Sequence, residues 1–228
     1  ATTPLPATDT RLPRNRSEGN LPKIAISTGS ADALECLVRK LGIDDSEMAT
    51  AGSDARIHMY TDAGAGGGAG ASSFRNGFPG GSGAFADSTT LWGSQASLSP
   101  YDIVILSCEG GHFPDTKPQT AMDAMKAYAD LGGRVFLSHW HNVWIEGSVL
   151  GGGTQAPAVW SGPNGVANWS NANTNFSAPP DTIDEQSNPK GESFATWMLN
   201  VGASPSRGQI PMAAGTGRVT VNSIDNTK

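Results

Sequence analysis

A parallel α/β sheet with helices on both faces is the fold that this 228-residue sequence predicts. Three observations carry it. A short apolar run, Ile24–Ile26, leads into a stretch where Leu34, Leu37, Val38 and Leu41 fall at i, i+3, i+4 and i+7, one stripe of an amphipathic helix. The run Ile103-Val104-Ile105-Leu106 is continuously apolar, as a strand covered on both faces must be. Between it and the next apolar run, RVFLSHW from Arg134, lies the helical segment TAMDAMKAYADLGG. Strand, helix and strand joined by short turns imply a right-handed parallel crossover.

The elements follow in order. Residues 1–21 read as an extended linker, and 22–228 as one α/β domain that is expected to continue beyond Lys228 in a longer chain. Ser30 is placed to cap the first helix, Asp32 suits its positive start, Arg39 and Lys40 suit its negative end, and Gly42 closes it. ARIHMYT, residues 55–61, is a second strand, with Ile57 and Met59 on one face and His58 and Tyr60 on the other. Residues 62–88 are too rich in glycine for regular structure and read as a long loop. Gly132 ends the crossover helix, and GGRVFLSHWHNVWI reads as a buried strand that breaks into two histidines. Residues 146–190 are mostly loop. A late helix, KGESFATWMLNVG, repeats the helical spacing with Phe194, Trp197, Met198 and Val201, and GRVTVNSI is a final strand. The whole is a flavodoxin-like sheet carrying long Gly-, Asn- and Ser-rich loops.

Composition excludes some functions. The charged fraction is 16%, with 29 Gly and 15 Pro, which describes a loop-rich globular chain. A net charge of −6 leaves no basic footprint for nucleic acid. No apolar run reaches the length of a membrane span. The Pro/Thr-rich opening, the few lysines and the abundant Gly, Asn, Ser and Thr point to a secreted or cell-surface protein. Asn15, Asn168 and Asn175 each begin a glycosylation-acceptor pattern. Cys36 and Cys108 are the only cysteines: a disulfide in an exported protein, two buried thiols otherwise.

Chemistry gathers at two strand ends. One carries SCEGGHFPD, with Ser107, Cys108, Glu109, Gly110, Gly111, His112 and Asp115; the other carries SHWHN, with Ser138, His139, His141 and Asn142. Ligands bind at the carboxyl ends of strands in open parallel sheets, so Ser107, Gly110, Gly111, Ser138 and Asn142 are pocket candidates. Three of the four histidines converge there. A His-x-His pair on a strand points both imidazoles the same way, so His112, His139 and His141 could hold a divalent metal such as zinc, with Glu109 or Asp115 as a further ligand or base. Alternatively these residues orient loops. Cys108 follows a strand and precedes a glycine pair; with His112 or His139 as base it could be a nucleophile, and otherwise it is a small apolar filler. GAGGGAG at 64–70 lacks the Gly-Lys-Ser/Thr of a phosphate loop, and STGSADA is the better anion cradle. Trp140, Trp144, Trp160 and Trp169 are either anchors of long loops or stacking surfaces for a glycan or protein.

The pattern YDIVILSCEGG, a helix ending ADLGG, then RVFLSHWHN resembles the class I glutamine-amidotransferase-like superfamily, including its trehalose-utilisation-like branch. The resemblance implies the α/β fold and covers about a fifth of the chain. Gly110 and Gly111 match the family's oxyanion-hole turn. The register that holds the family's nucleophilic cysteine is filled here by Ser138, His139 and Trp140, and Cys108 falls one strand earlier. Branches that lost the cysteine include binding modules, so the resemblance implies an exported, non-catalytic module that binds other protein modules of the same or a larger chain, or a surface glycan. A metal-dependent hydrolase built on His112, His139 and His141, with Glu109 as base, and a Cys108-dependent enzyme are the alternatives.

Overall fold

The computed structural model describes residues 11–62, 70–147, 166–170, 180–211 and 220–224. The chain divides into two compact units: Ala1–Asn168 with Ser223–Lys228, and Trp169–Asn222.

The larger unit is built on a parallel sheet of β1 Ile24–Ser27, β2 Met48–Thr50, β3 Ile57–Thr61, β4 Ala86–Asp87, β5 Ile103–Leu106 and β6 Arg134–Leu137. Its order is β2-β3-β1-β5-β6. β2 and β4 share the outer side of β3, at Ile57–Met59 and at Tyr60–Thr61. This is the parallel α/β arrangement that the apolar runs predict. Each face of the sheet has its own core. One face presents Ala25, Tyr60, Val104 and Leu106 to the helices α2 Ser88–Trp92, α3 Gln95–Leu98, α4 Gln119–Asp130 and α5 Val143–Glu146. Trp92 and Trp144 are fully buried there and meet edge to face at 5.4 Å, a geometry that adds about 0.5–1.5 kcal/mol to their burial. The other face presents Ile24, Ile26, Ile57, Met59 and Ile105.

That second face departs from expectation. The predicted first helix is a 3-10 turn, Leu34–Cys36, followed by a single turn, α1 Leu37–Lys40. Gly42, with φ +96°, lies just past its end. Of the predicted stripe only Val38 is buried, and Leu37 and Leu41 face solvent. The loop after β3 supplies the missing cover: Phe85 is buried there, and Phe74 and Phe78 stack at 4.3 Å against the same core. Glycine abundance masked these aromatic anchors. Just past that loop stand two helices too short for a hydrophobic period to announce, α2 and α3, capped by Asp87 accepting from the Thr89 N–H (2.8 Å) and by Ser94 accepting from the Ser97 N–H (3.1 Å).

β6 is less buried than its sequence suggests. Val135 and Leu137 are half-buried, while Arg134 and Phe136 on the opposite face are exposed. Residues 11–21 are tied down rather than free. Arg11 and Arg14 close on Glu18, Arg16 bonds Glu47 and Asp54, and Asn15 donates to Asp44. The contacts to Asp44, Glu47 and Asp54 are long-range polar contacts that no periodicity signals.

In the smaller unit, β8 Asp181–Thr182 pairs antiparallel with β9 Gln209–Ile210, and α6 Gly191–Asn200 is the predicted late helix. Its buried residues include Ala195 and Met198, while Phe194, Trp197 and Val201 are exposed. The predicted final strand is β10 Thr220–Ile224, and β7 spans Ala167–Ser170. Residues 63–69, Trp160 and Asn175 lie outside the described residues, as do the side chains of Asn168 and Trp169.

Candidate active site

The parallel register sets Ser27, Leu106 and Leu137 side by side at one edge of the sheet. The chain builds outward from β1 in both directions, so the loops after β1 and β5 diverge at that edge. Such a switch point opens a crevice at the carboxyl ends of the strands. Cys108 sits in it.

Cys108 Sγ lies 2.9 Å from His139 Nδ1. The Gly110 backbone N–H donates to the same sulfur at 3.4 Å, and the Trp140 backbone N–H does so as well. The sulfur is thus met by one imidazole and two amides. The Cys108 N–H donates to Asp32 Oδ1 at 2.7 Å, and the Ser138 hydroxyl donates to Asp32 Oδ2. One carboxylate from the first loop therefore clamps the ends of β5 and β6. Ala31 N–H donates to Cys108 O at 2.9 Å, an approach that needs glycine at 29, where a Cβ would stand 2.3 Å from that oxygen. Gly110, at φ +88°, allows the turn that brings its N–H back to the sulfur.

His139 carries backbone strain. Its φ is +46°, in the left-handed region, at a cost of about 1–3 kcal/mol for a residue of this kind. The strand ends at Leu137, and His139–Asn142 form a 3-10 turn. Cys108 is 1% exposed, whereas His139 is open to solvent. Burial pushes the Cys108 thiol up from its ordinary pKa, and the Trp140 and Gly110 amides oppose that shift.

The 3-10 turn also decides the fate of the expected metal triad. A strand would have aimed His139 and His141 alike; the turn separates them. His141 Nε2 donates to Ser107 O at 2.9 Å, and His141 Nδ1 accepts from Trp144 Nε1 at 3.0 Å. Both ring nitrogens are spent and burial holds the ring neutral, with its pKa well below the ordinary value. Among the described residues, no group of three His, Cys, Asp or Glu surrounds a metal-sized centre. The structure brings His139 to Cys108, leaves His141 as an internal strut and places His112 beside Asn142.

Glu109, expected as a base, accepts from Lys117 Nζ at 2.5 Å, and Lys117 is fully buried. Burial favours the neutral form of each, raising Glu109 and lowering Lys117, against their mutual attraction. Ser107 Oγ is buried with no hydrogen-bond partner. Gly111 packs against the Phe113 ring. Cys36 is exposed and Cys108 buried, and both thiols are free, so the disulfide open to an exported protein does not form. Cys36 ends the 3-10 turn after β1, while Cys108 follows β5 and has taken a histidine as partner. Asp32 was legible only as a helix-start residue, and Lys117 and Glu146 carried no sequence signal beyond their charge.

Comparison with known proteins finds no matching family model, no matching curated protein and no matching solved structure. Among the described residues, no helix is long and apolar enough to cross a membrane.

Proposed function

We propose that the protein is a thiol-dependent enzyme that cleaves an amide or ester by acyl transfer, with Cys108 as nucleophile and His139 as base. The 2.9 Å contact between Cys108 Sγ and His139 Nδ1 carries the reading. A histidine at this distance is the activating partner that a cysteine nucleophile requires. The two backbone amides at the sulfur favour the thiolate and oppose the burial that raises the thiol's pKa overall. The exposed His139 ring marks where substrate would arrive. Strain at a single solvent-facing residue is a feature of functional sites.

The chemistry closes without a cofactor. His139 Nδ1 takes the thiol proton as sulfur bonds to the carbonyl carbon. The tetrahedral adduct collapses, the carbon–leaving-group bond breaks, and the leaving nitrogen or oxygen takes the proton from His139. Water then attacks the thioester with His139 as base, releasing the acid and restoring the thiol. Relative to the amidotransferase-like resemblance, the base stands where that family keeps its cysteine, and the cysteine stands one strand earlier, beside the glycines that match its oxyanion-hole turn.

A second reading is favoured by one observation, the 1% exposure of Cys108. In it the protein is an exported, non-catalytic module. The thiol is then a filler, and the loops around it bind another protein module or a surface glycan. Iodoacetamide separates the readings. Under the first, mass spectrometry of the native protein finds Cys108 alkylated faster in wild type than in His139→Ala, and thioester or activated-ester hydrolysis disappears with it. Under the second, Cys108 reacts only after unfolding while exposed Cys36 reacts at once, and no hydrolysis is lost.

A further inference from the structure

We propose that His112, Asn142 and Glu146 form a divalent-cation site beside the thiol, distinct from the triad that the sequence suggests. His112 Nε2 lies 3.2 Å from Asn142 Oδ1 and 3.0 Å from Glu146 Oε1. Donor atoms about 3 Å apart are spaced as neighbouring ligands around an ion whose bonds are about 2.0–2.2 Å long.

The Glu146 carboxylate supplies the second observation. Its side chain is 5% exposed, and neither oxygen accepts a hydrogen bond, although His112 Nε2 is close to one of them. A buried carboxylate without donors is costly and calls for a cation. The His112 Nε2–Asn142 Oδ1 contact is the hydrogen bond within the cluster, and the Asn142 amide nitrogen and His112 Nδ1 are, like the carboxylate, buried without partners. The three residues come from two segments. His112 is in the loop after β5. Asn142 closes the 3-10 turn and Glu146 ends α5, four residues on and hence on the same helical side. Asn142 is a neutral amide-oxygen ligand, which is why no cluster of three His, Cys, Asp or Glu marks this place.

One imidazole nitrogen and two oxygens suit zinc or manganese. On binding, the ring lone pair of Nε2 faces the ion and the ring hydrogen resides on Nδ1. The ion would fasten the loop after β5 to the segment that follows β6. His112 packs edge-on to Trp140 at 5.0 Å, and the Trp140 amide reaches Cys108 Sγ. The site thus supports the thiol's surroundings without touching the thiol, and it stands whether or not Cys108 is catalytic.

The test is metal content by elemental mass spectrometry after stripping with chelator and dialysis against Zn²⁺ or Mn²⁺ alone, with isothermal titration of the same ions. Wild type and His139→Ala should each hold near one equivalent. His112→Gln and Glu146→Gln should bind at least about 10-fold more weakly. Asn142→Asp should bind about 10-fold more tightly, because it adds a charge to an oxygen ligand already in place. That gain cannot come from a damaged fold, so the proposal stays testable even where a loss variant fails to fold. A wild type with no bound ion, or one equivalent held equally by all variants, overturns it. Loss in His139→Ala with retention in Glu146→Gln would return the ion to the histidines of the original triad and equally overturn it.

Discussion

His58 at the amino end of the sheet and His139 at its carboxyl end are used in opposite ways, while His141 beside His139 is satisfied as His58 is. At the amino end, His58 of β3 is buried, its Nδ1 is 2.8 Å from Tyr101 Oη, and its Nε2 is 3.1 Å from Ser53 O. Tyr101 Oη is also 2.8 Å from Tyr60 Oη, and Tyr128 Oη donates to Tyr101 O at 2.9 Å. Each ring nitrogen and hydroxyl has a partner. At the carboxyl end, His139 stands in a left-handed backbone against a thiol, and Ser107 Oγ, Glu109 Oε1 and the Glu146 oxygens are buried without hydrogen bonds. The difference separates two uses of polar burial. A closed network fixes one packing and holds the ring neutral. An open one keeps strain and unmet bonding capacity at the place where a ligand would meet them.

The largest test of this contrast exchanges single atoms at each end. Cys108→Ala should lower hydrolysis at least about 10³-fold and leave the denaturation midpoint nearly unchanged. Tyr101→Phe should do the reverse. It strips the shared partner from His58 Nδ1 and Tyr60 Oη, at about 2–4 kcal/mol of stability for two buried polar atoms, with kcat unaltered. Urea denaturation alongside ester hydrolysis checks both. A Tyr101→Phe variant as inactive as Cys108→Ala would show that the two ends are not separate.

His58 and Cys108 should also part with pH, in opposite directions, with His141 adding to the acid limb from the carboxyl end because burial holds its ring neutral too. Burial lowers His58 below the ordinary 6.5. Its contribution to stability is whole above that pH and is lost as pH falls, because the unfolded chain takes up a proton that the native ring refuses. Burial raises Cys108 above the ordinary thiol value of 9.0. Its contribution is whole below that pH and is lost as pH rises, because the unfolded thiol ionises first. Each group adds a limiting slope of about 1.4 kcal/mol per pH unit. His58→Gln should flatten the acid limb alone and Cys108→Ala the alkaline limb alone, read by denaturation from pH 5 to 10. If either substitution flattens both limbs, the two groups are coupled and the separation fails.

The asymmetry also explains what was legible beforehand. Continuous apolar runs such as Ile103–Leu106 report burial directly, and the parallel sheet follows from them. Convergence of Cys108, His112, His139 and His141 on two adjacent strand ends follows from the same strands. The partnerships do not. Whether His139 or His141 meets the thiol depends on where β6 stops, and a 3-10 turn of four residues has no hydrophobic period to announce it. Asp32 reaches Cys108 across 76 positions and Glu146 meets His112 across 34, separations that one sequence cannot pair. The first helix departs from its pattern for a related reason: its leucine period predicts an amphipathic helix, yet Phe74, Phe78 and Phe85 on a glycine-rich loop supply most of the cover, with Val38 and Leu34 beside them.

The finest discrimination lies at His139 itself. The residue is exposed, so removing its ring sacrifices little packing, and its φ of +46° is one that glycine adopts freely. His139→Gly should therefore raise stability by about 0.5–1 kcal/mol, the strain relieved less the entropy of ordering a glycine, while hydrolysis falls to the level of Cys108→Ala. A variant that is more stable and inactive would identify the strain as serving the site and not the fold. If His139→Gly is instead destabilised by more than about 1 kcal/mol, the imidazole is holding the carboxyl end together as His58 holds the amino end, and the contrast between them collapses.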